Sequence, residues 1–260
     1  MRLSVVIPVL DEAARLPELL ASLTAMNAQV IVIDGGSADG SVGIARAAGV
    51  AVFDSPAGRA RQMNAGAAWA TGEALLFLHA DTTLPADAEH MIRDALADGR
   101  HVWGRFDVII EGRQAMLRVV AMMMNLRSRA SGIATGDQAM FMSRAAFDAA
   151  GGFPEQPLME DIEMSRRLLA QSRPACLRPP ARTSGRRWVD RGVWHTIALM
   201  WRLRSRARCS IARWARRSTP GSARSSCAAT RPPAMQPGPM SRCRPASNTR
   251  LRARAIWARA

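Results

Sequence analysis

Lysine and tyrosine are both missing from this 260-residue chain, and all 36 basic residues are arginine. No physical requirement explains that gap; it points to a GC-rich coding sequence. Cysteine is scarce. Cys176, Cys209, Cys227 and Cys243 contain no C-x-x-C pair, so neither a zinc site nor a disulfide framework is indicated. No run of about 18 uninterrupted apolar residues occurs, which gives no candidate for a membrane-spanning helix. The opening MRLSVVIPVLDE is broken by Pro8 and followed at once by Asp11 and Glu12, unlike a signal peptide. A cytoplasmic location is therefore expected.

Acidic residues stop at Asp190. Residues 1–190 hold 21 acids and 20 arginines, whereas residues 191–260 hold 16 arginines and no acid. A sequence pI near 11.6 would suggest nucleic acid, but the basicity belongs to the tail alone. No specific nucleic-acid partner is expected. The hydrophobic share of 48% excludes a wholly disordered chain, and the length suits one large domain with an appendage.

What is present is an alternation. Leu3–Val9, Val30–Ile33, Val50–Phe53 and Ala74–Leu78 read as apolar strands. Between them, Glu12–Met26, Ser41–Ala48 and Ala60–Ala70 read as helices. Apolar strands separated by helices predict a mostly parallel sheet with helices on both faces. The second half is less regular. Val102–Ile110 and Ala139–Met142 read as strands, Gln114–Leu126 and Glu160–Ala170 as helices, and Ile197–Leu203 closes the patterned region. From about Ser205 the pattern dissolves into Arg, Pro, Ser and Ala with almost no Leu, Ile or Val. Such a segment buries too little apolar area to offset its ordering entropy. Two readings stand for it: a disordered basic tail, or the translated frameshift of a GC-rich gene.

In a parallel sheet, ligands bind beyond the carboxyl ends of the strands. That draws attention to Asp11, Asp34 and His79-Ala80-Asp81. Asp34 opens a Gly-rich turn, where it either accepts hydrogen bonds from a nucleoside or simply closes the turn. Arg59 and Arg61 lie at a helix start, in Gly-Arg-Ala-Arg-Gln-Met-Asn-Ala-Gly (58–66), and either bind phosphate or form a solvated face. Asp81 can hold Mg2+ or Mn2+, hard cations that take oxygen ligands; the plainer role is a cap. Glu160 and Asp161 open a helix, as caps or as a general base on an acceptor hydroxyl.

The order of these pieces is the more specific signal. Strand–Pro–Asp-Glu, strand–Asp-Gly-Gly-Ser, Gly-Arg-x-Arg-x-x-Asn-x-Gly, Phe-Leu-His-Ala-Asp, Gly-Asp-Gln and Glu-Asp before a helix together resemble the family-2 glycosyltransferases. The resemblance covers roughly residues 1–204. It implies a GT-A-type α/β domain with a nucleotide-sugar half (1–110) and an acceptor half (111–204), followed by the 205–260 tail.

Residue by residue, the resemblance implies that Pro8, Asp11 and Glu12 border the nucleotide and that Asp34 contacts the base. It places metal on Asp81, the catalytic base on Asp161 beside Glu160, and the acceptor side at Gly136, Asp137 and Gln138. Arg59, Arg61, Asn64, His79, Arg186 and Arg187 complete the expected donor surroundings. Two positions depart from the family pattern. His79 replaces the first acid of the metal motif, and Met63 stands where many members carry arginine. His-Ala-Asp-Thr, Trp-Gly-Arg-Phe-Asp (103–107), Gly-Asp-Gln and Ser-Gly-Arg-Arg-Trp (184–188) resemble one bacterial subgroup often labelled with arsenosugar biosynthesis.

The implied reaction is inverting transfer from a nucleotide-diphospho-sugar, most often a UDP-sugar in this family, to an acceptor hydroxyl or carboxylate. His195 is weighed as a further metal ligand against simple packing beside Trp194. Met116–Asn125 and Val193–Trp201 are apolar stretches flanked by arginines. They read either as core packing of the acceptor half or as surfaces resting on anionic lipid at the inner face of the cell membrane, suiting a lipid-like acceptor. Competing functions are a nucleotidyltransferase or sugar-nucleotide-binding module of similar fold, which would want a lysine-bearing Gly-rich loop near the first strand. A nucleic-acid-binding protein acting through its tail, and an inactive product of a damaged gene, complete the set.

Overall fold

The computed structural model describes residues 1–156 and 158–186. Arg187, His195, the apolar stretches Val193–Trp201 and Ile197–Leu203, the boundary after residue 204 and the 205–260 tail lie outside the described residues.

Strands β1 (Leu3–Val9), β2 (Ala28–Asp34), β3 (Ala51–Asp54) and β4 (Ala74–Phe77) alternate with helices α1 (Leu16–Leu23), α2 (Ser41–Ala47) and α3 (Arg59–Trp69). β5 (Thr82–Thr83), α4 (Ala88–Ala97), β6 (Trp103–Glu111), α5 (Ala115–Ser131), β7 (Met140–Ser143), α6 (Arg144–Ala150), α7 (Glu160–Leu169) and β8 (Ala175–Ser184) follow. They form one eight-stranded sheet in the order β3-β2-β1-β4-β7-β6-β8-β5. β1 pairs in parallel with β2 and β4, and β2 with β3. β7 runs antiparallel to both β4 and β6, while β6 and β8 are parallel. The result is the expected α/β architecture of GT-A type, mostly parallel and covered on both faces.

The two covers follow from alternation along the strands. Leu3, Val5, Ile7 and Val9 of β1 face α1, α2 and α4, where Leu16, Leu19, Leu20 and Leu23 supply the helical stripe. Each such leucine contributes about 1.5–3 kcal/mol on burial. Val6, Ile31, Ile33, Leu75 and Phe77 face the other way, against Met63 of α3, Phe147 of α6 and Leu168 of α7. α3 approaches closely because Gly66 has no side chain; a methyl there would run into Val6 Cγ1.

Several boundaries differ from expectation. α1 starts at Leu16 rather than Glu12, because residues 11–15 are spent on a turn in which the Arg15 and Leu16 amides donate to the Glu12 carbonyl. α5 runs five residues further than expected, to Ser131, and ends at Gly132 with φ 72°. α4, α6 and β8 were not anticipated. β8 contains Pro179 and Pro180, which argue against a strand. They are accommodated in a bulge: Phe106 pairs with Leu177 and Val108 with Ala181, so three residues of β8 face the single Asp107 of β6.

At that bulge the Asp107 carboxylate collects three guanidinium groups. Arg129 Nη2 and Arg178 Nε each donate to its Oδ2 at 2.6 Å, and Arg105 Nη1 donates to Oδ1. Arg105 is fully buried. Burial alone would raise the Asp107 pKa, but the hydrogen bonds from Arg129, Arg178 and Arg105 win and hold it below the usual value. Asn125 adds a second tie between α5 and β6, accepting from the Val108 amide and donating to its carbonyl, both at 2.9 Å.

Candidate active site

The order of strands reverses between β1 and β4, since β2 and β3 lie on one side and the later strands on the other. That makes the carboxyl ends of β1 and β4 the place for a ligand crevice. Pro8 lies there. The β4 ladder ends at Val6, so a residue without an N–H is tolerated in a central strand at the point where the sheet opens.

Beyond β1 and β2 the two loops are stitched together by short side chains. The Ser37 hydroxyl accepts from the Asp11 amide at 3.0 Å, Ser41 from the Glu12 amide at 3.0 Å, and Asp39 from the Ala13 amide at 2.8 Å. Asp11 returns the contact by accepting from the Ala38 amide at 2.8 Å, with its own φ at 55°. Burial opposes ionisation of Asp39. Hydrogen bonds from the Ser41 hydroxyl and the Ala13 and Ser41 amides outweigh it and lower the pKa. Asp34 is buried, and its carboxylate accepts from the amides of Gly36 (2.8 Å) and Ser37 (3.0 Å), closing its own turn. Gln62 was not singled out from sequence. Fully buried on α3, it donates to the carbonyls of Val9 and Ile33, both at 2.8 Å, and so ties the ends of β1 and β2. A signal existed, because Gln62 sits in the quoted 58–66 cluster on the face that carries Met63 and Gly66.

The other members of that cluster are spread out. Arg61 pairs with Glu155 at 3.0 Å. Asn64 donates to the Phe153 carbonyl and accepts from its amide, both at 2.8 Å, and thus pins the 151–156 loop. Arg59 lies within the electrostatic reach of Glu160.

After β4 come His79 and Asp81. Glu12 has a raised pKa, from burial first and then from the neighbouring Asp81 carboxylate; Arg186 and Arg15 act against it. Arg186 Nη2 stands 4.0 Å from Glu12 Oε2. Two carboxylates within electrostatic reach of one another and an arginine beside one of them form one charged corner. Among the described residues no three His, Cys, Asp or Glu side chains gather into a complete metal-binding group. A hard divalent cation would suit the Asp81–Glu12 pair, since it would offset the repulsion that raises Glu12.

His79 is nearly buried, with Nδ1 at 3.5 Å from Asp137 Oδ1. Asp137 belongs to the 3-10 turn Gly136–Gln138, in which Thr135 and Gln138 cap one another and Gln138 Nε2 reaches Asn125 Oδ1 at 3.4 Å. The Gly136 amide donates to Asp161 Oδ2 at 2.7 Å, and Asp161 Oδ1 accepts from the Ile162 amide at 2.8 Å. Asp161 and Glu160 occupy the first turn of α7, where the helix dipole favours negative charge. Glu160 is buried and its pKa is raised, by burial first and then by Asp161, with Arg59 and His79 pulling the other way. Asp137 is thus brought against the His79 imidazole and Glu160 within its electrostatic reach, while Asp161 is tied to the same 3-10 turn through the Gly136 amide.

Gly136 is held to glycine by that imidazole. A methyl on its Cα would come within 2.5 Å of His79 Nε2. Gly136→Ala is therefore expected to cost about 1–3 kcal/mol as an overpacked contact, and to lose that penalty when His79 is also changed to Ala. Thermal melts of the three variants check this. Equal Tm losses for Gly136→Ala with and without the ring would show that the 3-10 turn itself, not the packing, rejects the methyl.

A family model described as "Glycosyl transferase family 2" matches residues 4–149, more than half of the chain. No curated protein sequence matches significantly. Among solved structures, S. aureus TarS 1–349 in complex with UDP-GlcNAc superposes with a TM-score of 0.56 at 18% identity, covering 71% of this chain and 58% of that one. The mannosyltransferase PcManGT from Pyrobaculum calidifontis, in complex with GDP-Man and Mn2+, gives a TM-score of 0.54 at 23% identity, over 69% of this chain and 55% of that one. The chain thus spans less than two thirds of the length of either neighbour, and the likeness is one of fold.

Proposed function

This chain belongs to glycosyl transferase family 2, and from that premise we propose that it moves a sugar from a UDP-sugar to an acceptor hydroxyl or carboxylate with inversion at the anomeric carbon. The observation that carries the proposal is the convergence described above. Glu12 and Asp81 lie within electrostatic reach of one another beyond β1 and β4, Asp137 and Glu160 act on His79 on the adjoining side, and Asp161 holds the Gly136 amide of the same turn.

In this reading the nucleotide lies over the stitched loops after β1 and β2, bordered by Pro8, Asp11, Glu12 and Asp34. Arg59, Arg61, His79 and Arg186 line its approach, Asn64 acts by holding the 151–156 loop, and Arg187 follows outside the described residues. Asp81, helped by Glu12, would hold Mg2+ or Mn2+, which neutralises charge on the departing diphosphate. Arg186 adds a guanidinium suited to phosphate oxygens. Gly136, Asp137 and Gln138 shape the acceptor side. With a hydroxyl acceptor, Asp161 accepts its proton as the oxygen attacks from the face opposite the leaving group; a carboxylate acceptor would attack without proton transfer. A single displacement of this kind inverts the configuration. The solved neighbour that holds GDP-Man and Mn2+ supports divalent-metal use, and the one that holds UDP-GlcNAc supports a nucleotide-sugar donor.

The test is a thermal-shift titration with UDP and UDP-sugars, with and without Mn2+. A ligand that binds the native state alone raises Tm by mass action, by about 2.7 kcal/mol of added stability at one hundred times its Kd. The expected result is a Mn2+-dependent shift that Asp81→Ala abolishes and Asp161→Ala retains. A folded sample with no shift for any nucleotide would refute the donor assignment.

A further inference from the structure

Helix α5 buries one face and leaves the opposite one open. Leu117, Val120 and Ala121 pack with Ile110. Val119, Met122, Met123 and Leu126 follow the i, i+3, i+4, i+7 spacing of a single stripe on the other side, and each is between 47% and 61% exposed. Singly scattered apolar side chains are ordinary on a protein surface; four large ones in a contiguous row mark an interaction face.

The charge around the stripe has one sign. No acidic residue occurs between Glu111 and Asp137, whereas Arg113, Arg118, Arg127 and Arg129 lie in that interval. Arg118 and Arg129 fall on one flank of the stripe and Arg127 on the other, by the 3.6-residue period; Arg113 and Arg118 are exposed. Three of the four apolar residues are unbranched or flexible, and methionine in particular adapts to irregular apolar surroundings. The buried side of the start of α5 lies against the segment that leads to Arg186. Gly185, next to Arg186, donates to the Glu111 carbonyl at 2.9 Å, and its Cβ position lies 3.0 Å from Leu117 Cδ1 at the start of α5.

We propose that the Val119–Met122–Met123–Leu126 face of α5 rests on an anionic phospholipid surface, with the exposed Arg113 and Arg118 at headgroup level. An apolar stripe framed by arginine is the pattern of a helix lying in the plane of the interface. The assignment stands on α5 alone and is independent of the transferase reading. Among the described residues no helix is long and apolar enough to cross a membrane, so the contact is peripheral.

Vesicle co-sedimentation of the full chain tests it, because the arginine-rich tail binds anionic lipid by charge and the stripe by burial. The two separate in about 1 M salt, where the screening length falls to about 3 Å. The expected result is binding to phosphatidylcholine–phosphatidylglycerol vesicles that partly survives this salt. The surviving part should fall about tenfold or more in Met122→Asp/Leu126→Asp. Val119→Ser/Leu126→Ser repeats the comparison if the first variant does not fold. Donor-induced thermal shifts are read on the same samples and should match wild type, whatever the vesicles show. Four results would overturn the proposal: no salt-resistant binding, binding unchanged in the variants, a dimer that the variants split, or a Tm lowered by the variants without lipid. The last two would assign the face to a second copy or to the chain's own packing.

Discussion

Replacing Asp161 by asparagine is expected to lower kcat by about 10²–10⁴-fold, the range for removing a general base, while donor affinity stays within a few-fold. The substitution is close to isosteric. An asparagine carbonyl oxygen can still accept the Gly136 or Ile162 amide, so the 3-10 turn and the start of α7 keep their positions. What is lost is the negative charge and the capacity to take a proton. Glu160→Gln is the matched control. Glu160 is buried, and burial and Asp161 already push it toward its neutral form, so its amide costs little charge. Steady-state rates for the two variants, with donor Kd from the thermal-shift titration, decide the assignment. A severe loss for Glu160→Gln beside a mild one for Asp161→Asn would move the base by one residue.

Asp107→Ala should be the most destabilising single change among the described residues outside the crevice. The carboxylate is the common acceptor for Arg105, Arg129 and Arg178. Arg129 and Arg178 can turn toward water, being 36% and 72% exposed along the side chain, but Arg105 has no exposed surface. Without Asp107 a guanidinium is left buried with only the Asn125 carbonyl at 3.3 Å. Breaking a buried pair from one side costs about 3–5 kcal/mol, or on the order of 10 °C in Tm for a domain of this size. Removing both partners, as Arg105→Leu/Asp107→Leu, should recover much of the loss, since no uncompensated charge then remains. Differential scanning calorimetry of the single and double variants measures both. A Tm loss below about 2 °C for Asp107→Ala would mean that Arg105 reaches water and that the knot ties the bulge only weakly.

The sequence disclosed its first half more readily than its second, for physical reasons. Strands β1, β2 and β4 are continuous apolar runs ended by Asp, Pro or Gly, and periodicity is enough to find them. β8 was hidden because Arg178-Pro179-Pro180 forms a bulge opposite Asp107, a condition that exists only once β6 is beside it. α6 is short and rests on Ala146 and Phe147, too few positions to signal a period, whereas α4 buries Ala88, Ile92 and Leu96 at a four-residue spacing that the sequence does carry. At the crevice, the residue types were legible and their partners were not. Glu12 and Asp81 are 69 positions apart, and Gly136 and Asp161 are 25 apart; only the fold places one against the other. Asn64 and Gln62 show the same limit in reverse. Their side chains are spent on backbone groups of Phe153, Val9 and Ile33, which no local pattern announces.

The stitched loops after β1 and β2 carry one more implication. The Asp11, Glu12 and Ala13 amides are each held by a side chain of residues 37–41, and Gln62 clamps both strand ends beneath them. Ordering a loop costs about 1–2 kcal/mol per residue in backbone entropy. Here that cost is met during folding, before any ligand arrives. The rim of the crevice is therefore preorganised, and what binds there meets a surface that has already surrendered its conformational freedom.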